Sequence, residues 1–287
     1  MAGKVLRMYF TNDDMNGLST FEFSNYTVQG TMFSRANLNE FKQRNESNKP
    51  GVYLIFNEVL SDEEGLLYIG EGDPVLPRLL SHNAKKDFWT QAIVFTSKDE
   101  NLTKTQIQYL EAMLIKTAID CKRIKLDNVQ ESTIPTLSES GLCEVELFLQ
   151  VILDMLHALR INFFESLSTN VALTDTDIVY EMKVKNAAAR MTIKNGKYIL
   201  LKGSTLSSKS SAKSKTTINK MRQKLKEDGF IGDYSSDLWI ALDNIDFSSA
   251  SYAADAVAGY NLNGLEAWKH GAKTLKEVEA ENVNDQD

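Results

Sequence analysis

Five side chains set the question this chain poses: Tyr53, Tyr68, Arg78, His82 and Glu111. An arginine fork pairs anionic oxygens bidentately, a histidine exchanges protons near neutrality, and a carboxylate can hold a hard cation. A tyrosine, with an ordinary pKa near 10, is a poor base unless a neighbouring cation favours its phenolate. Arg78 and His82 are four residues apart in "DPVLPRLLSH", which puts them one above the other on a helix face. Tyr53 and Tyr68 each belong to a short apolar run, "GVYLIF" and "LLYIG". On their own, two tyrosines in such runs read as sheet core, and a helix glutamate reads as surface charge.

The elements that must position these groups are legible in the pattern. "GVYLIF" and "LLYIG" predict a hairpin across the polar connection "NEVLSDEEG", in which Asp62, Glu63 and Glu64 read as a solvated turn. A helix carrying Arg78 and His82 follows, then a third strand in "FWTQAIVFTS". The helix "TKTQIQYLEAMLIKTAID" opens with Thr103 and Gln106 at capping-box spacing. Its apolar stripe is Ile107, Leu110, Leu114 and Ala118, with Glu111 at the margin. A further apolar helix is expected over 144–165. Beyond 171 the texture changes to strands in "IVYEMKV", "ARMTIKNGKYILLKGS" and "DLWIALDNIDF", with Asn195-Gly196 as a hairpin turn. A Ser/Lys-rich loop, "STLSSKSSAKSKTT", and a basic helix closed by Gly229 complete this part.

Taken together, the five residues resemble the GIY-YIG endonuclease domain. Its two name motifs stand here as "GVY" (51–53) and "YIG" (68–70), followed in order by Arg78, His82 and Glu111. The end of the chain, "SSASYAADAVAGYNLNGLEAWK", resembles the C-terminal domain of unknown function on bacterial members of that family, and the module associated with some restriction adenine methylases. The resemblance implies a metal-dependent nuclease that hydrolyses phosphodiester bonds in DNA. Glu111 would hold Mg²⁺ or Mn²⁺ and Arg78 would clamp the scissile phosphate. Tyr53, oriented by Tyr68, or else His82, would take the proton from water. Two positions depart from the family pattern. Glu71 stands where a Lys or Arg often follows the YIG, which removes one phosphate contact. Arg123 occupies the place of a family asparagine, and Asn128 is the nearest substitute.

The implied fold class is α+β: a small nuclease domain of short antiparallel sheet and helices at 51–130, preceded by a β-rich extension over 1–50. A loop and connecting helix at 131–170 lead to a basic α+β domain at 171–276 and an acidic disordered tail at 277–287. The 287 residues carry a net charge of −7, yet 181–228 hold thirteen Lys/Arg against three Asp/Glu. That local balance of +10 leaves −17 on the rest and reads, on composition alone, equally as a polyanion footprint or as a solvated lysine-rich surface. Lys209, Lys213, Lys215, Lys220, Arg222 and Lys224 are the expected phosphate contacts. Cys121 and Cys143 form no CxxC pair and read as core thiols in a reducing compartment. No segment reads as a signal peptide or membrane span, so a cytoplasmic protein with DNA as partner is expected. Two other readings stand beside it. The fold could bind nucleic acid without cleaving it, or the C-terminal domain could bind a protein partner.

Overall fold

The computed structural model describes residues 3–15, 17–57, 65–128, 133–166, 173–174, 176–211 and 216–284. The chain divides into two compact units, Met1–Glu165 and Ser166–Asp287, both mixed α+β. The 58–64 connection, with Asp62, Glu63 and Glu64, lies outside the described residues.

The first unit is built on one seven-stranded sheet. Its elements are β1 (Leu6–Phe10), β2 (Ser19–Phe23), β3 (Val28–Ser34), α1 (Leu38–Phe41), β4 (Gly51–Phe56), β5 (Leu66–Gly72), α2 (Leu76–Lys85), β6 (Gln91–Ser97), α3 (Lys104–Cys121), β7 (Lys125–Leu126) and α4 (Glu139–Ala158). The strand order is β1-β2-β3-β6-β4-β5-β7, antiparallel throughout except for the parallel β5–β7 pair. Residues 1–50 are therefore not an extension beside this sheet. Their strands are its edge, because β3 pairs with β6 along its whole length, from Val28 opposite Ser97 to Ser34 opposite Gln91.

The apolar run "GVYLIF" is explained by two covered faces. Val52, Leu54 and Phe56 join Leu67, Ile69, Ile93 and Phe95 in a core closed by α3 and α4. The alternate residues Tyr53 and Ile55 face the other way and pack with Phe33, Phe41, Val75, Leu79 and Trp89 around α1 and α2. Each large side chain so buried stabilises the fold by about 1.5–3 kcal/mol. The capping box forms as expected: the Thr103 side chain accepts from the Gln106 N–H, and the Gln106 side chain accepts from the Thr103 N–H. The apolar helix expected at 144–165 runs from Glu139 to Ala158, with Ser138 as its cap. Cys121 is buried, but Cys143 is exposed on the second turn of α4, so only one thiol belongs to the core.

The second unit contains β8 (Val179–Val184), β9 (Ala187–Lys194), β10 (Lys197–Leu200), β11 (Thr205–Ser207), α5 (Thr216–Glu227), β12 (Ile231–Ser235), β13 (Leu238–Ala241), β14 (Ile245–Phe247), α6 (Ala250–Ala258), α7 (Gly264–Ala267), β15 (Lys269–His270), β16 (Lys273–Thr274) and α8 (Leu275–Asn284). A six-stranded sheet runs β14-β10-β9-β8-β15-β16, and a three-stranded one β11-β13-β12. Asn195 and Gly196 both have positive φ (53° and 74°), the signature of a tight hairpin turn between β9 and β10. The expected tail does not begin at 277. α8 continues to Asn284 because Leu275 and Val278 bury against the core of this unit, which contains Trp268. No helix among the described residues is long and apolar enough to cross a membrane.

Candidate functional site

The sheet register brings the two name motifs together. Gly51 stands opposite Gly72, and Tyr53 opposite Gly70, on adjacent strands. Each glycine is required by what would meet a side chain. A Cβ on Gly70 would lie 2.4 Å from the Tyr53 ring and hydroxyl, and one on Gly51 would lie 2.4 Å from the Phe95 carbonyl. The Tyr53 ring thus lies across its cross-strand neighbour, and its hydroxyl is directed toward α2.

On α2, Leu79 is buried against the sheet. The same turn places His82 over the tyrosines. The Tyr53 hydroxyl is 2.9 Å from His82 Nε2. The Tyr53 and Tyr68 rings are stacked at 6.3 Å, with the His82 ring 4.4 Å from that of Tyr68. The Tyr53 hydroxyl also counteracts part of the rise in the Tyr68 pKa. Tyr53 has no exposed surface, whereas Tyr68 and His82 are partly exposed. Lys86, paired with Asp127, places its ammonium 4.7 Å from the centre of the Tyr68 ring.

Burial pushes both phenols above their ordinary value; the Glu111 charge adds to the rise and Arg78 opposes it. Burial first, then Lys86 and Arg78, hold His82 down at about 4 against a small opposing pull from Asp127. At neutral pH the site therefore contains neutral phenols and a neutral imidazole. An unfolded histidine takes its proton near pH 6.5, so between about 6.5 and 4 the unfolded state binds more protons. His82 contributes stability above pH 6.5, and that contribution is lost as pH falls toward 4. We expect wild type to lose more stability than His82→Gln between pH 7 and pH 4.5, in denaturant midpoints. Equal losses would mean that His82 is not buried neutral.

Glu111 lies half-buried on α3, near the backbone of Glu71. Burial raises its pKa, and the neighbouring Glu71 charge raises it further; Arg78, the Glu71 backbone and Lys104 oppose the shift. Glu71 is itself buried and bridged by Lys104, with Nζ 2.7 Å from Oε1. Arg78 is exposed, and no hydrogen bond or ion pair occupies its guanidinium among the described residues. It remains close enough to shift both tyrosines, His82 and Glu111.

Asn128 does not join this group. Its amide donates to the Ile69 carbonyl at 2.7 Å and accepts from the Ile69 N–H at 3.3 Å. It continues the β5–β7 pairing with side-chain atoms, and that is its role here. Lys104 was not singled out by the sequence. Its signal was available: it precedes Glu111 by seven residues, two helical turns on one face.

The second unit offers less free charge than its composition suggests. Lys194, Lys197, Lys209 and Lys226 pair with Asp177, Asp246, Asp237 and Asp233. Arg222 is 1% exposed, bonded to the Ser207 carbonyl and laid over the Trp239 ring at 4.9 Å, so it is not a surface phosphate contact. Lys213 and Lys215 lie outside the described residues. Lys183, Lys185 and Lys202 are exposed.

No curated protein and no solved structure matches this chain. Residues 180–279, within the second unit, match the family model DUF4357, a domain of unknown function, and no match to the GIY-YIG family accompanies it.

Proposed function

We propose that the first unit is a GIY-YIG-type nuclease domain and that the protein is a metal-dependent endonuclease acting on DNA. The observation that carries this reading is the convergence of three features. They are the packed Tyr68–Tyr53–His82 group with its Tyr53–His82 hydrogen bond, the exposed and unpartnered Arg78, and a half-buried Glu111 whose charge both tyrosines feel.

The residues fit a divalent cation of the Mg²⁺ type. Glu111 is a carboxylate whose charged form is disfavoured by burial and by Glu71, and a cation would supply the missing compensation. No set of three or more His, Cys, Asp or Glu surrounds it among the described residues. Water and substrate oxygens would complete the coordination, which Mg²⁺ accepts readily. Such an ion, when bound, acidifies a water and neutralises charge on the phosphate.

The chain's own groups divide the remaining work. Arg78 pairs two phosphate oxygens with its fork and stabilises the negative charge that grows during hydrolysis. Tyr53 is sealed, so water meets Tyr68 or His82. A proton delivered to the Tyr68 oxygen can be relayed as the Tyr68 proton moves to Tyr53 and the Tyr53 proton to His82 Nε2. His82 is thus the proton acceptor and Tyr53 the link. Exposed lysines of the 181–228 segment, such as Lys183, Lys185 and Lys202, would supply salt-dependent backbone contacts.

The deciding experiment incubates the protein with supercoiled, linear, branched and single-stranded DNA in Mg²⁺, Mn²⁺ or EDTA. Cleavage by wild type with a cation, and none in EDTA, is expected. Arg78→Ala should lower kcat by about 10²–10³-fold. Arg78→Lys should recover little of it, because a point charge does not replace the fork. A fully active lysine variant would rule out bidentate clamping.

A further inference from the structure

A cleft of about 350 Å³ opens beside Arg78, between the end of β5, the turn at Asp73 and the first residue of α3. That volume is at the small end of ligand pockets and suits a piece of about one nucleotide. Its cations are Arg78 and Lys104, and its acids are Glu71 and Asp73. We infer that this cleft is a second phosphate subsite, in which Lys104, positioned by Glu71, holds the phosphodiester next to the one on Arg78. The inference rests on the reading of the first unit as a polynucleotide hydrolase and deepens it.

Three observations carry it. Lys104 reaches the cleft from α3, while Arg78 reaches it from α2, so two elements converge on one opening. Glu71 is almost fully buried and fixes the Lys104 ammonium through both carboxylate oxygens. An ammonium has three N–H donors, so one remains for an outside acceptor. The Lys104 side chain is half exposed, which leaves that donor within reach of a ligand. Charge gives the third reason. Glu71, Asp73 and the adjacent Glu111 would repel a polyanion from Arg78, and Lys104 offsets one of them at the mouth of the cleft. The position after the YIG tripeptide is acidic in this chain, and Lys104 returns a cation to that end of β5 from another element.

The test measures binding without turnover. Intact wild type, Lys104→Gln, Glu71→Gln and the double variant are titrated with a labelled oligonucleotide duplex and a single strand in EDTA, at 50–200 mM salt. Losing one phosphate contact lowers the salt slope by about one unit, so the wild-type advantage over Lys104→Gln should shrink about fourfold across that range. Glu71→Gln should keep the wild-type slope, with equal or tighter binding. The double variant carries no uncompensated buried carboxylate, which guards against misfolding; it should bind more weakly than Glu71→Gln and keep the reduced salt slope of Lys104→Gln. A wild-type slope in Lys104→Gln or in the double variant would reduce Lys104 to a counter-charge for Glu71 and overturn the subsite. The outcome is independent of hydrolysis. A protein that cleaves nothing yet shows the slope change keeps the subsite and loses the nuclease reading.

Discussion

Glu111→Gln should reduce metal-dependent cleavage by about 10³-fold or more, roughly 4 kcal/mol of transition-state stabilisation. The substitution keeps the shape of the side chain and one acceptor oxygen beside the Glu71 backbone. It removes a charge that burial and Glu71 already disfavour, so the thermal midpoint should hold or rise. DNA affinity measured in EDTA should also hold or rise, since one repulsive carboxylate leaves the neighbourhood of Arg78. This combination separates a cation ligand from a packing residue. Loss of a packing residue would lower stability and activity together. Wild-type rates in Glu111→Gln would remove Glu111 from the chemistry and leave the cation without its protein ligand.

The elements that carry the first unit's candidate site were readable because its residues sit in segments with strong local signals. "GVYLIF" alternates between two buried faces, and the capping box dates the start of α3 to one residue. The joining of the N-terminal strands to β6 was not readable. Sheet neighbours far apart in sequence leave no periodic trace, and β3 finds its partner some sixty residues later. Asn128 shows the limit of motif carry-over. Residue type and rough distance from Glu111 suggested chemistry, but β7 is two residues long and uses the amide to extend its pairing. Charge density misled in the same way. Composition counts Arg222 with the lysines, while the fold buries it under Trp239 and pairs four of the lysines with aspartates. Lys104 went unnoticed because its meaning depends on Glu71, a residue of another element.

Gly70→Ala is the substitution with the largest expected effect from a single methyl group. Gly70 faces Tyr53 directly across the β4–β5 pair, and the added Cβ would sit 2.4 Å from both the ring and the hydroxyl. Such a contact cannot be accommodated in place. Tyr53 is fully buried between Val75, Leu79 and the sheet, so its ring has no free volume to retreat into. The overpacking should cost about 1–3 kcal/mol of stability, and any relief must move the hydroxyl off His82 Nε2. Activity should then fall further than stability, to the level of Tyr53→Phe or below, because the proton link from Tyr68 to His82 is broken. A second substitution distinguishes the two effects. In a Tyr53→Leu background the smaller side chain leaves room for the methyl group, so Gly70→Ala should cost little additional stability while activity stays lost. The coupling between the two positions, read from denaturant midpoints of the four proteins, should be at least about 1 kcal/mol. Additive midpoints would show that Gly70 serves the backbone of β5 and does not make room for Tyr53.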